Sequence, residues 1–267
     1  MNSSGSLMVV KGSREEKLAE YEELLLRRDQ LFREAGSYLT SYTKEFGDLL
    51  TANFEIRLEC IKKKKAISYC RRRMNRGLPV DTAGMQEEIE REMTLYYAQL
   101  EELTRETEEA KQAKNVGAFR FEQAKKIYVR LAKKLHPDIY RETSENEDLK
   151  DLWNRITAAY HRSDLDELED LEVLVRRQLE SLGADAPKTV PDDLERRIER
   201  VEAQINDILT TAPHTYGELL ADEVRKEEMK ERLREEHAEY EEYLQNLTQA
   251  LEDMLREGGV KLVWKLG

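Results

Sequence analysis

The chain has 267 residues, with 56 acidic side chains against 44 basic ones and a net charge of −12. Charged residues make up 37% and aromatics 7%, with only 5 prolines and 12 glycines, a composition that fits long solvated helices and excludes one large globular core. Acidity of this strength disfavours nucleic acid and anionic membrane as partners of the whole surface, and no run approaches the roughly 18 apolar residues of a membrane span.

The first apolar run, Leu7 to Val10, is too short for a signal peptide's apolar core. Cys60 and Cys70 lie ten apart in one helical stretch, roughly 15 Å at helical rise, too far for an intrachain disulfide. They read as reduced thiols, so the expected location is cytoplasmic.

From Leu18 to Met74 apolar residues keep a 4/3 spacing: Leu18, Tyr21, Leu25, Phe32, Ala35, Leu39, Tyr42, Phe46, Leu49, Ile56, Cys60, Ile67, Cys70 and Met74, with Arg28, Asn53 and Lys63 breaking the stripe. A sustained 3.5-residue period predicts a helix lying along another helix as a coiled coil. Ser13 with Glu16 is the start signal, and the turn from Arg76 through Gly77 and Pro79 is the stop. A second stripe follows (Ile89, Met93, Tyr96, Leu100, Leu103, Thr107, Ala110), and the short connection favours an antiparallel hairpin. The tip of the first arm, Lys62 to Arg76, is basic and the returning arm is acidic, so the two are expected to neutralise each other rather than hold nucleic acid.

The third segment, 119–138, reads FRFEQAKKIYVRLAKKLHPD. Its apolar face carries Phe121, Ala124, Tyr128, Leu131 and Leu135, and its opposite face Lys125, Lys126, Arg130, Lys133 and Lys134. Pro137 ends the helix, because it lacks an N–H and excludes helical geometry at His136. A polar loop follows, then a start signal at Ser144 with Glu147, then a helix with Trp153, Ile156, Ala159 and Tyr160 on one face; Gly183 ends the helical pattern.

The order of helix, His136-Pro137-Asp138, polar loop and helix resembles the J-domain of DnaJ-type co-chaperones over residues 120–163. The family's common pattern, close to KKAYRKLAKKYHPD followed by FxxIxxAY, is met here by KKIYVRLAKKLHPD and WNRITAAY. The resemblance implies docking on a DnaK-type chaperone and stimulation of its ATPase. It places partner contacts at Lys125, Lys126, Arg130, Lys133 and Lys134 and the triggering loop at His136, Pro137 and Asp138. The chain departs from the family at Val129, where a basic residue is frequent, and in lacking a YxxLG first helix, a Gly/Phe-rich linker and CxxC zinc repeats. The end of the acidic arm, Leu103 to Ala110, is expected to pack where the first helix would lie. The acidic run Asp164 to Glu172 stands in place of the family's fourth helix.

A linker over 184–192 precedes a short helix, Leu194 to Ala212, and a long C-terminal helix with a start signal at Thr215 and Glu218. Its stripe (Leu233, His237, Tyr240, Leu244, Leu247, Leu251, Met254) is a candidate partner for the start of the first helix. An antiparallel pairing there would let the alternating segment Val260, Leu262, Trp264, Leu266 meet the N-terminal SLMVV as a small two-stranded ribbon.

The expected fold is therefore all-α: a long antiparallel coiled-coil stalk carrying a J-like hairpin, in segments 1–118, 119–183 and 184–267. The stripes can close within one chain or between two copies. His161, His214 and His237 stand apart from the cysteines, so no metal is expected, and no cofactor motif or enzyme signature is present. The functional expectation is a co-chaperone for a DnaK-type partner. The alternative is a coiled-coil scaffold that uses the J-like hairpin only as structure.

Overall fold

The computed structural model describes residues 14–113, 118–182 and 193–257. The described residues are all-α, with no strand among them. The helices are α1 (Arg14–Asn75), α2 (Thr82–Gln112), α3 (Ala118–Leu135), α4 (Arg141–Glu145), α5 (Glu147–His161), α6 (Leu165–Leu182), α7 (Leu194–Thr210), α8 (Tyr216–Leu220) and α9 (Glu223–Glu257). No helix among the described residues is long and apolar enough to cross a membrane. The expected terminal ribbon and the 184–192 linker lie outside the described residues. The chain divides into two compact units, one of Met1–Leu39 with Lys114–Gly217, the other of Thr40–Ala113 with Glu218–Gly267.

In the first unit α3, α5 and α6 pack on one another around Ala124, Tyr128, Leu131, Leu135, Leu149, Ile156, Tyr160, Leu168 and Leu171. These side chains recur every three or four residues along each helix, which places them on one face. The acidic run from Asp164 is itself helical, because its charges fall on the outer face while Leu165, Leu168, Leu171 and Val175 face the core. The continuous pattern expected up to Gly183 is interrupted at Ser163, whose φ of 56° breaks the helix between α5 and α6. The cap of α5 is also corrected: Asn146, not Ser144, accepts the Asp148 and Leu149 N–H groups at 3.0 and 3.2 Å.

The start of α1 also contributes to this core. Leu26 of α1 packs on the α3–α5–α6 core. The stretch Leu103 to Ala110, expected in that place, belongs to the other unit, where Thr107 meets Gly47 and Thr51 of α1. α7 runs parallel along the same part of α1, since Lys17 pairs with Glu195 and Leu31 and Ala35 pack with Ile208. Flanked on two faces, α1 buries Leu31 and Arg33, while Phe32 and Leu39 of the expected stripe are 47% exposed.

In the second unit α1 and α2 are antiparallel. Asp48 pairs with Lys111, Lys65 with Glu92, and Arg72 with Glu88, the partner number falling as the α1 number rises. Asp81 caps α2 by accepting from the Gly84 N–H at 3.1 Å. α9 is parallel to the second half of α1, not antiparallel to its first half. Glu45 pairs with Lys230, Asn53 with Leu233 and His237, and Cys60 with Tyr240, while Ala66 and Cys70 share a core with Leu251 and Leu255. The expectation of a ribbon rested on the opposite direction. The helix also begins later than the Thr215 signal: Asp222 accepts from the Val224 and Arg225 N–H groups and caps α9.

Candidate functional site

The candidate site is the connection between α3 and α5. The His136 N–H still closes the last helical bond to the Ala132 carbonyl at 2.9 Å. Pro137 then turns the chain, and the His136 carbonyl accepts from the Ile139 and Tyr140 N–H groups at 2.9 and 2.8 Å. Ser144 donates to the Pro137 carbonyl at 3.2 Å, and the Tyr140 hydroxyl donates to the Lys133 carbonyl, satisfying one of the acceptors left open at the end of α3. Ile139 and Tyr140 insert between α1 and α7, in a core with Leu18, Tyr21, Leu25, Leu194, Ile198 and Val201. The loop is thereby held from behind by apolar contacts.

The site residues expected from the sequence divide by environment. Lys126, Lys133 and Lys134 are exposed, Lys125 is partly buried, and Pro137 and Asp138 are half-buried. Arg130 is exposed but engaged: its Nε and Nη2 donate to the two carboxylate oxygens of Glu172 on α6 at 2.8 and 2.9 Å. This contact holds the Glu172 carboxyl below its ordinary value. Arg120 reaches Asp166 on α6 through Nη2 alone, at 3.0 Å to each carboxylate oxygen.

His136 does not present its ring to solvent; it is 3% exposed. The ring meets Trp153 edge-on at 4.9 Å between centroids. Its Nδ1 accepts the Asp138 N–H at 3.2 Å, and its Nε2 faces the Asp29 carboxylate of α1 at 3.8 Å. Burial pushes the imidazole below its ordinary value, with Asp29 and Asp138 pulling more weakly the other way.

Two charged residues that periodicity had not singled out complete this region. Asp29, 9% exposed, accepts from the Tyr128 hydroxyl at 2.6 Å and from Arg28 at 2.8 and 3.0 Å. Burial, then the Asp29 charge, raises the Tyr128 phenol far above its ordinary value. Arg33, 4% exposed, donates to the Tyr160 carbonyl at 3.2 Å and to the Ser163 hydroxyl at 2.6 Å, with its guanidinium 3.5 Å from the centre of the Phe121 ring. Tyr128 and Tyr160 stack at 4.0 Å with planes 8° apart. The available signal was that Asp29 and Arg33, four apart, share one face of α1. Chemically the region offers a cationic outer row and a half-buried carboxylate above a buried, fully oriented imidazole.

No family model, curated protein or solved structure matches this chain.

Proposed function

We propose that this protein is a J-domain-type co-chaperone that docks on a DnaK-type chaperone and stimulates its ATPase in the cytoplasm. The observation that carries this reading is the α3–α5 hairpin. Tyr128 stacks on Tyr160 and Trp153 braces His136, so the two motif segments that resemble the family's pack against each other around the His136-Pro137-Asp138 turn. Lys126, Lys133 and Lys134 form the exposed row that steers an acidic partner. Asp138 is the group that accepts a charge-assisted hydrogen bond from a partner arginine. His136 acts from beneath, by shaping the loop. The helices α1, α2 and α9 form coiled-coil pairs that serve as the client or partner module, within one chain or between copies.

Single-turnover ATP hydrolysis by a DnaK-type chaperone tests this reading. The intact protein accelerates it, and Asp138→Asn and His136→Gln abolish the acceleration. No acceleration by the intact protein overturns the reading.

A second reading is favoured by one observation, the enclosure of His136 between Trp153 and Asp29. In it the hairpin is only structural and the chain is a scaffold. Partner capture is then unchanged in Asp138→Asn and in Lys126→Ala/Lys133→Ala/Lys134→Ala.

A further inference from the structure

Asp29 occupies an unusual position. A carboxylate on α1, more than a hundred residues away in sequence, is buried beside the imidazole of the His136-Pro137-Asp138 turn. Its Oδ1 is satisfied by Arg28, and its Oδ2 accepts from the Tyr128 hydroxyl. The same Oδ2 faces His136 Nε2 at 3.8 Å. That separation is too long for a direct hydrogen bond, but in a buried setting it is short enough for the oriented N–H dipole to feel the charge.

The other ring nitrogen favours the same tautomer. His136 Nδ1 lies 3.2 Å from the Asp138 main-chain N, so while that bond holds in the neutral ring Nδ1 is the acceptor and the proton sits on Nε2, but a bond of this length is too weak to hold the tautomer by itself. The opposite tautomer would set N–H against N–H at Asp138 and a lone pair against the Asp29 charge. Both contacts therefore select one tautomer, and Asp29 is the member supplied from outside the hairpin. The selected bond ties the Asp138 backbone, whose side chain is the half-buried carboxylate at the surface of the turn. Tyr128 holds Asp29 in place, and Trp153 fixes the plane of the ring.

We propose that Asp29 is a positioning residue for the His136-Pro137-Asp138 turn: it fixes His136 as the Nε2–H tautomer, and through the Nδ1 bond to Asp138 it presents the Asp138 carboxylate to an arginine-bearing partner. The partner half of this inference rests on the co-chaperone reading, while the tautomer half stands without it. α1 is thus part of the site and not only its support.

The test uses the full chain with 15N-labelled histidine rings. In the wild type, long-range nitrogen–proton NMR at a pH above the histidine range assigns His136 as Nε2–H. Asp29→Leu alone would strand the buried Tyr128 hydroxyl, whereas Asp29→Leu/Tyr128→Phe removes both polar partners and keeps the packing. In the double variant the His136 signals move toward a mixture of tautomers. Its stimulation of the DnaK-type ATPase falls at least tenfold, with helical circular dichroism unchanged. Tyr128→Phe alone retains the tautomer and most of the stimulation, and Asp29→Asn, which preserves shape, shifts the tautomer as the double variant does. A wild-type Nδ1–H ring, or a double variant with unchanged tautomer and unchanged stimulation, overturns the inference. A wild type that does not stimulate the ATPase, with the tautomer shift still seen between it and the double variant, overturns the co-chaperone reading alone.

Discussion

The Arg33 guanidinium donates to the main-chain carbonyl of Tyr160 at 3.2 Å, tying α1 to the end of α5. A second bond reaches the Ser163 hydroxyl, on the residue whose positive φ separates α5 from α6. Among the described residues no carboxylate pairs with this buried cation, and its Nη1 has no acceptor. What holds it is the planar fork and the Phe121 ring beneath it. An ammonium reproduces neither. Arg33→Lys is therefore expected to cost about 2 kcal/mol, and Arg33→Met, which keeps the apolar stem against Phe121 and Tyr160 and buries no charge, to cost less. Urea unfolding of the two variants checks the order, and a Lys variant more stable than the Met variant would contradict it.

The buried His136 ring makes stability depend on pH. Its value in the fold lies below the ordinary 6.5, so the folded state binds fewer protons than the unfolded chain in the interval between the two. The stabilisation is complete above the ordinary value and is lost as pH falls through it toward the depressed one. His161 is shifted in the same direction by its own desolvation and adds to the loss. Glu45 and Glu172, held below 4.5, contribute only at lower pH. Between about pH 7.5 and 5.5 the wild type should lose more unfolding free energy than His136→Gln, since the His161 contribution cancels in the comparison. An equal or steeper slope in the variant would refute this.

The residues that were legible in the sequence were those whose burial follows a single face. Tyr128, Leu131, Ile156 and Tyr160 read correctly because α3 and α5 each bury one stripe, and Pro137 marks the end of α3 unambiguously. Along α1 the same reasoning failed at Phe32 and Leu39, because that helix is packed on two faces and a one-stripe pattern no longer describes it. Asp29 and Arg33 were hidden for a related reason: a charge on a long charged helix reads as solvated unless its partner is known. The direction of α9 was not legible at all. A heptad stripe names the face that pairs but is the same read forwards or backwards, and the parallel direction is set by specific pairs such as Asn53 with Leu233.

Asn53 is buried between α1 and α9, where its Nδ2 donates to the Leu233 carbonyl at 2.9 Å and its Oδ1 accepts from His237 Nδ1 at 3.0 Å. A polar residue at such a position selects one register at some expense of stability. Asn53→Leu gains apolar burial worth about 1–2 kcal/mol. It strands little, since His237 is half-exposed and can turn to water. The urea midpoint should stay level or rise, while sedimentation velocity should resolve more than one species as alternative pairings of α9 become competitive. A loss of more than about 2 kcal/mol with a single species retained would mean that the hydrogen bonds stabilise rather than select.

Gly47 provides the sharpest test of how α1 and α2 are paired. A Cβ added there would lie 2.7 Å from Thr107 Cγ2 and 2.8 Å from its Oγ1, closer than atoms can approach without movement. In an isolated helix Gly→Ala gains about 1 kcal/mol from propensity alone. Here the helices are packed at this point, and Thr107 is 3% exposed with its hydroxyl donating to the Leu103 carbonyl at 2.8 Å, so the side chain has no free rotation away from α1. The overpacking cost of about 1–3 kcal/mol should outweigh the propensity gain, and Gly47→Ala should destabilise the protein. Thr107→Ala removes the two clashing atoms and leaves only Cβ at 3.2 Å. Combined with Gly47→Ala it should recover most of the loss, giving a favourable coupling of about 1 kcal/mol or more in a double-mutant cycle. Purely additive effects would mean that Gly47 and Thr107 do not meet, and with that the antiparallel register of α1 and α2 would have to be redrawn.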